Sequence, residues 1–348
     1  MSDYEILDEA LQSMALAGPD LRNGLTNHAP MATEALVALG RSDTAMRWLE
    51  EYRKNLTPRP AAGERIERGH WRSALAHPDR FTDWRKLFDN ELEEAPWRTV
   101  VEKWAARLAP GISASATHGV IRTGHAVRGL VNRETPARRN ELADGLALWA
   151  STYQELPTEK SAWASVMGPA EAISRVAIVR AEKRKFSGTI TSSLEALDHF
   201  PEFAPVIGLI DTSGEAAALI SELTRTFARV YLANAHDLLS VIVFIHAVTS
   251  AAAVRKLLSH LGDATGRRAM RYAWQTGCAL YAAFGKTRVT AHEPEPVSES
   301  GETLVDMAVA CGDEHAIKFT EACLSENAVS PSPVYLAAAR HAILTLKG

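Results

Sequence analysis

The spacing of apolar residues constrains the fold of this chain more than any other feature of its sequence. Along most of the 348 residues, apolar side chains recur every three to four positions, which is the period of a helix with one buried face. Period-two alternation is nearly absent, and no Asn-Gly or Asp-Gly hairpin lies between apolar runs. The sequence therefore predicts an all-α protein, and we expect a single large multi-helix domain over residues 1–348.

Start and stop signals divide this pattern into separate helices. Pro96 occupies a favourable first helical position. The helix that begins there is expected to run to Leu108 and to be stopped by Pro110-Gly111. Other helices are expected to begin at Asp43 and Thr82, and Pro30 introduces one more. The remaining predicted helices are Ser113–Val131, Pro136–Glu155, Pro169–Arg180, Ser192–Phe200, Gly214–Ala233, His236–Leu261, Gly266–Phe284, Thr303–Gly312, Asp313–Ser325 and Pro333–Leu346.

Composition excludes several classes of partner. A net charge of -4, with no dense basic face, predicts that the chain does not bind nucleic acid. The first thirty residues lack an apolar signal segment, and the most apolar stretch, Leu238 to Val248, is shorter than the roughly 20 residues that span a bilayer. Three cysteines without CxxC spacing indicate reduced thiols. We therefore expect a cytoplasmic protein that does not contact a membrane.

Common catalytic and nucleotide-binding motifs are missing from the sequence. No Gly-x-Gly-x-x-Gly loop follows a strand, and neither a Walker loop nor a Gly-x-Ser-x-Gly elbow is present. Chemistry in this chain would therefore depend on a metal or on the substrate itself. The twelve histidines are the residues that bear on this question.

Two segments place histidines where a polar pocket is plausible. His28 lies in a tight polar turn before Pro30, where it could either cap the following helix or point inward. His118, Arg122 and His125 share one helical face at offsets of four and seven. Because a buried imidazole needs partners, two histidines with an arginine between them indicate a polar pocket.

Two further segments bring histidine into apolar or unusual surroundings. His246 interrupts an apolar run, which is also typical of a core histidine bonded to a nearby carbonyl. His315 and Lys318 are three residues apart in a helix that begins with Asp313 and Glu314, so they share a face. From spacing alone, an outward Lys318 paired with Glu314 or Glu321 is favoured. Surface positions are expected for the histidines beside charged or turn residues, His70, His77, His199, His260 and His341.

Together these segments resemble the questin oxidase-like family. The resemblance rests on Asn-His-x-Pro-Met at His28, Thr-His-Gly-x-Ile-Arg-x-x-His-Ala-Val-Arg at His118, Phe-Ile-His-x-Val-Thr-Ser at His246 and Asp-Glu-His-Ala-x-Lys at His315. It also includes residues 146–157 and spans about Asn23 to Phe319. The resemblance implies oxidative ring opening of anthraquinones and related aromatic polyketides.

The resemblance also implies a set of metal ligands. Non-haem Fe2+ would be held by four histidines and a lysine that can become a carbamate, here His28, His118, His246, His315 and Lys318. A neutral lysine in a dry pocket can capture carbon dioxide and so provide an oxygen donor. The family pattern has a histidine at the position of Arg122 and an aromatic residue at the position of His125, so this chain departs from the pattern at both positions. We expect catalytic roles for His125 and Arg122. Asp313, Glu314, Thr117 and Thr249 could support the ligands.

These observations predict a metal-dependent oxygenase that acts on an aromatic substrate with O2. One alternative is a Baeyer–Villiger-type monooxygenase that uses NADPH as a diffusible external reductant. A non-enzymatic alternative is a helical ligand-binding or scaffold protein with a vestigial histidine cluster. The sequence is compatible with a homodimer and leaves the substrate and regiochemistry open.

Overall fold

The computed structural model describes residues 3–159, 166–184, 186, 188–290 and 293–347 and confirms the all-α prediction. Two short antiparallel strands, β1 (Ala17–Leu21) and β2 (Leu56–Pro58), pair with Ala17 opposite Pro58. The α-helices of the described residues are α1 (Asp3–Ser13), α2 (Ala29–Ala38), α3 (Ser42–Tyr52), α4 (Phe81–Glu94), α5 (Trp97–Leu108), α6 (His118–Asn132), α7 (Pro136–Ser151), α8 (Pro169–Ala172), α9 (Ile190–Leu194), α10 (Ala216–Asn234), α11 (Leu238–Leu258), α12 (Asp263–Phe284), α13 (Gly301–Cys311), α14 (Glu314–Val329) and α15 (Pro333–Leu346).

Several predicted helices differ from the observed ones at their ends. The helix expected over Pro169–Arg180 ends at Ala172 and continues only as a 3-10 turn through Arg175. Helix α1 and the two strands were not predicted, because short segments carry too little periodicity to be distinguished. Helix α6 begins at His118 and not at Ser113, since Ser115, Ala116 and Thr117 all have positive φ angles.

Helices α2, α6, α11 and α14 surround the region in which the histidines meet. Helix α6 packs between α7 and α11, while α14 packs against α2 and α11. Close approach depends on glycine at two points of α6: a Cβ at position 119 would lie 2.6 Å from the Trp149 backbone, and one at position 124 would lie 2.9 Å from Ala253. The small residues of this segment therefore allow α7 and α11 to contact the α6 backbone.

Helix α11 is longer than the apolar stretch suggested. It has 21 residues, so by length and composition alone it could cross a membrane. However, 78% of its most apolar window is buried inside the protein. Such burial is typical of the core helix of a soluble protein.

Candidate metal centre

His28 lies at the N-terminal end of α2, where Pro30 follows in the first turn. The capping role considered for His28 is absent, because its side chain makes no capping hydrogen bond. Instead, the Asn27 side chain accepts a hydrogen bond from the Ala29 amide at 2.9 Å. The His28 amide donates to the Tyr52 hydroxyl at 3.2 Å, and its imidazole is buried in the interior.

A strained turn positions His118 at the start of α6. Ser115, Ala116 and Thr117 have φ angles of 49°, 51° and 76°, a left-handed conformation that costs L-residues roughly 1–2 kcal/mol each. This turn places the Ser115 carbonyl oxygen 2.5 Å from His118 Nδ1. The hydroxyls of Ser115 and Thr26 lie 2.8 Å apart, which connects the turn to the loop that carries His28.

His246, in the middle of α11, faces His118. Its Nδ1 lies 2.6 Å from the carbonyl oxygen of Ile242, and its Nε2 lies 3.2 Å from His118 Nε2. A carbonyl oxygen can only accept a hydrogen bond, so Nδ1 carries the proton in both rings. Each Nε2 therefore presents a lone pair to the other.

Burial keeps both of these rings neutral. It lowers the pKa of His118 well below its usual range, and the neighbouring His246 and Lys318 act in the same direction. Burial, followed by His315 and Lys318, lowers the pKa of His246 to about 3. Since neither ring is protonated at neutral pH, the two facing lone pairs repel each other, and a cation between them would remove the repulsion.

Helix α14 supplies the other side of the site from its first turn. Asp313 caps the helix by accepting from the amides of His315 and Ala316, and its Oδ1 lies 3.2 Å from His315 Nδ1. Such a carboxylate contact orients a histidine so that Nε2 is free to bind a metal. Glu314 Oε1 lies 3.7 Å from His28 Nδ1. The ligating atoms of His28, Glu314 and His315 all lie within 4.8 Å of one another.

Lys318 is buried, at 2% exposure, so the outward position favoured by spacing alone is wrong. Its Nζ lies 3.1 Å from His28 Nδ1. Among the described residues, no carboxylate lies within ion-pair distance of Nζ. Burial lowers the pKa of Lys318 to about 8, although Glu314 and Asp313 partly oppose the shift.

The structure thus brings together all five of the metal ligands implied by the resemblance. The ring centroids of His28 and His118 are 4.4 Å apart, those of His28 and His315 are 4.7 Å apart, and those of His118 and His246 are 4.7 Å apart. Only His315 is appreciably accessible, with 13% of its side chain exposed. We call this group the histidine cluster; its members are His28, His118, His246, Glu314, His315 and Lys318.

The geometry of the histidine cluster fits a metal ion. Two imidazole nitrogens bound to one ion at roughly 2.0–2.1 Å, in tetrahedral or octahedral geometry, are separated by about 2.9–3.4 Å. The 3.2 Å between the Nε2 atoms of His118 and His246 falls within this range. Imidazole nitrogen suits iron, zinc and copper, and Glu314 or a modified Lys318 would add an anionic oxygen.

His125 and Arg122 lie on the same helix as His118 but contact other groups. Arg122 donates two hydrogen bonds to Glu141, at 2.6 and 2.8 Å. Nδ1 of His125 lies 2.6 Å from Glu34. Among the described residues, no contact joins either side chain to the histidine cluster, and their catalytic roles stay a prediction.

The partner of His125 belongs to a second buried group, which we call the charge cluster. Arg128 donates to both Glu34 and Glu321, and Lys256 Nζ lies 3.1 Å from Glu321. Although burial alone would raise it, Arg128 lowers the pKa of Glu34 to about 2. Burial, followed by Lys256, lowers the pKa of His125 to about 4. The charge cluster therefore consists of Glu34, His125, Arg128, Lys256 and Glu321.

One neighbour of the site was given a smaller role from the sequence than the structure indicates, and another was not recognised. Glu314 was treated as a supporting residue, although its i, i+4 spacing to Lys318 places both on one face of α14. Tyr52, from α3, contacts the His28 amide, and no local sequence signal indicates that contact. Of the predicted surface histidines, His70, His77 and His199 are exposed, whereas His260 and His341 are half-buried.

Comparison with known protein families agrees with the motifs that surround the site. Residues 25–323 match the family described as questin oxidase-like, a range that contains all the members of the histidine cluster. A search of curated proteins found no match. Because the match covers nearly the whole chain, this protein belongs to the questin oxidase-like family.

Proposed function

We propose that this protein is a non-haem iron oxygenase that opens a ring of an aromatic polyketide of the anthraquinone type. The family suggests oxidase activity on such substrates. The observation that supports metal dependence is the facing pair of Nε2 lone pairs on His118 and His246, 3.2 Å apart. His28, His118, His246 and His315 would hold the ion, with Lys318 as a carbamate.

The protein's own residues would prepare the site before the metal binds. The carbonyl oxygens of Ser115 and Ile242 and the carboxylate of Asp313 hold the protons on Nδ1, so that each Nε2 is free. Burial of His28, His118 and His246 excludes water from most of the site. Bound iron would supply the activation of O2, which otherwise reacts slowly with organic molecules. Access from outside is expected beside His315 and Glu314, which are the more exposed members.

Metal analysis and oxygen labelling test this function. Protein purified from iron-supplemented cells should carry about one iron per chain, as expected for the mononuclear site that we propose. With an anthraquinone-type hydroquinone and 18O-labelled O2, the ring-opened product should contain both labelled atoms. Incorporation of one atom with consumption of NADPH would instead support a Baeyer–Villiger-type monooxygenase. Absence of stoichiometric metal would contradict the proposal and support a scaffold with a vestigial cluster.

The proposed role of Lys318 has a separate test. A neutral Lys318 amine would react with carbon dioxide to give a carbamate and release one proton, so that a negative charge joins the neutral imidazoles. Lys318→Ala should lose metal binding and activity, and millimolar formate should partly restore both. Lys256→Ala removes another buried lysine, one that is already paired with Glu321; formate should not help it. Full metal binding in untreated Lys318→Ala would exclude the carbamate.

A further inference from the structure

Two aromatic residues of α3 contact two chain segments that carry members of the histidine cluster. The Tyr52 hydroxyl accepts a hydrogen bond from the His28 amide at 3.2 Å. Trp48 lies one helical turn earlier on the same face of α3, and its Nε1 donates to the carbonyl oxygen of Gly312 at 2.8 Å. Gly312 directly precedes Asp313, the cap of α14. We call Trp48 and Tyr52 the aromatic brace.

The two rings of the aromatic brace also contact each other. They are stacked, with their centroids 4.7 Å apart and an angle of 21° between their planes. Aromatic side chains have few rotatable bonds, and a stack of two rings is favourable beyond the area that it buries. Each ring therefore restrains the other, and the pair connects the loop at His28 to the turn at Gly312 through one helix.

On the first of these segments, the brace pairs the backbone of a predicted metal ligand. Amides at the start of a helix have no acceptor within the helix. At α2, the Asn27 side chain accepts from the Ala29 amide, and the Tyr52 hydroxyl accepts from the His28 amide. Since His28 is a buried residue, its amide would lose its acceptor without Tyr52, and the backbone would have to shift to pair it again.

On the second segment, the brace holds the turn between α13 and α14. Gly312 has a φ angle of 74°, a left-handed conformation that glycine adopts without a steric cost. Its carbonyl accepts from Trp48, and the next residue, Asp313, accepts from the His315 amide at 2.7 Å through Oδ1. A shift of this turn would therefore move Asp313 and His315 together.

The brace thus connects two predicted metal ligands that face each other. The ring centroids of His28 and His315 are 4.7 Å apart, with an angle of 72° between the rings. A metal ion requires ligand distances that are correct to about 0.2 Å. We propose that Trp48 and Tyr52 position His28 and His315 for metal binding. This assignment rests on the proposed function, because it takes both histidines as ligands of the metal.

Binding of Co2+ to variants that keep both rings tests the proposal. Sites of this ligand type bind Co2+ at least as tightly as Fe2+, and the absorption spectrum of the bound ion reports its geometry. Tyr52→Phe removes the acceptor of the His28 amide but keeps the stacked ring. Its affinity for Co2+ should fall at least tenfold, as expected when a residue that orients a ligand is lost, and the spectrum should change.

Tyr281→Phe is the matched control for Tyr52→Phe. The Tyr281 hydroxyl also accepts from a backbone amide, that of Val289 at 3.3 Å, and among the described residues no contact joins Tyr281 to the histidine cluster. This variant should bind Co2+ with the affinity and the spectrum of the unmodified protein. Trp48→Phe keeps a ring for the stack but removes the bond to Gly312, so its affinity for Co2+ should fall at least threefold.

The outcomes separate this proposal from the proposed function. Unchanged Co2+ affinity and spectrum in Tyr52→Phe and Trp48→Phe would overturn the aromatic brace and leave the metal centre in place. An equal loss of affinity in Tyr281→Phe would also overturn it, because losing any such acceptor would then have the same effect. Absence of Co2+ binding by the unmodified protein would contradict the metal centre and the brace together. Binding that depends on Tyr52, in a protein whose iron form has no oxygenase activity, would support the brace and contradict the oxygenase.

Discussion

Helices α2, α6, α11 and α14 carry two buried polar centres that differ in how completely their polar groups are paired. Helices α2, α6, α11 and α14 contribute His28, His118, His246 and the pair His315 and Lys318 to the histidine cluster. One to three turns further along, the same helices supply the charge cluster. Helix α2 contributes Glu34, α6 contributes His125 and Arg128, α11 contributes Lys256 and α14 contributes Glu321. In the charge cluster, both carboxylates are bound by cations.

In the histidine cluster, lone pairs face each other and Lys318 has no carboxylate partner among the described residues. A buried polar group without a complementary partner is destabilising, whereas a fully paired network can define how helices pack. The difference indicates that the charge cluster stabilises the helix arrangement, and it supports the proposal that a cation completes the histidine cluster. Substitutions in the histidine cluster should therefore lower metal affinity, and substitutions in the charge cluster should lower the stability of the fold.

The largest effect is expected from the histidine cluster when metal binding is measured. His246→Ala should lower metal affinity by about 100-fold or more, since even supporting residues around a metal cost about 10–100-fold. His28→Ala, His118→Ala and His315→Ala should behave alike. His70→Ala, at an exposed position, should retain the metal. Equal metal content in every variant, measured by elemental analysis after dialysis, would show that these histidines are not the ligands.

The next largest effect is expected on stability when the charge cluster is broken. Glu34→Ala leaves Arg128 and His125 with an unpaired buried donor, so the free energy of unfolding should fall by about 3–5 kcal/mol. The surface pair of Arg41 with Glu302 provides a control, because Glu302 is 72% exposed; Glu302→Ala should cost about 0–1 kcal/mol. Urea denaturation measures both. A loss for Glu34→Ala no larger than that of the control would remove the distinction between the centres.

A pH dependence of stability should follow from His125. Its folded-state pKa is about 4, whereas the unfolded chain titrates near its usual value, so the unfolded state binds the extra proton between about pH 6.5 and 4. Stability is then greatest above pH 6.5 and falls as the pH decreases to 4, by roughly 3 kcal/mol from this residue. His125→Gln keeps a donor for Glu34 and should lose that part of the dependence. His70→Gln should show the same pH profile as the unmodified protein, and identical profiles for all three proteins would refute the assignment.

The smallest effect is expected on the free energy of unfolding when Lys256 and Lys318 are replaced one at a time in metal-free protein. Lys256→Met removes a cation from Glu321 and should lower the free energy of unfolding by about 1–3 kcal/mol. Lys318→Met replaces an amine whose hydrogen-bond partner among the described residues is His28, so its unfolding free energy should be unchanged or higher. Chemical denaturation after treatment with a chelator gives both values. A larger loss for Lys318→Met would indicate that Lys318 stabilises the fold by itself.

The helices could be predicted from the sequence more completely than the positions of the candidate metal ligands. Long helices such as α10 and α12 were recognised from periodicity, and a helix was expected to begin at Asp313, which caps α14. Spacing alone placed Lys318 outside, and only the family resemblance indicated the interior. The failure of the Pro169–Arg180 prediction has a similar origin, because short apolar patterns do not show which neighbours will cover them.

The sequence by itself determined the helical class and the four histidines and the lysine that carry the family motifs. These features depend on residue type or on interactions within a few positions along the chain. Only the tertiary structure decided that Lys318 meets His28, 290 residues away, that the Nε2 atoms of His118 and His246 face each other, and that His125 lies in a separate charge cluster. Such contacts depend on how the helices pack, and the pattern within any single helix does not contain that information.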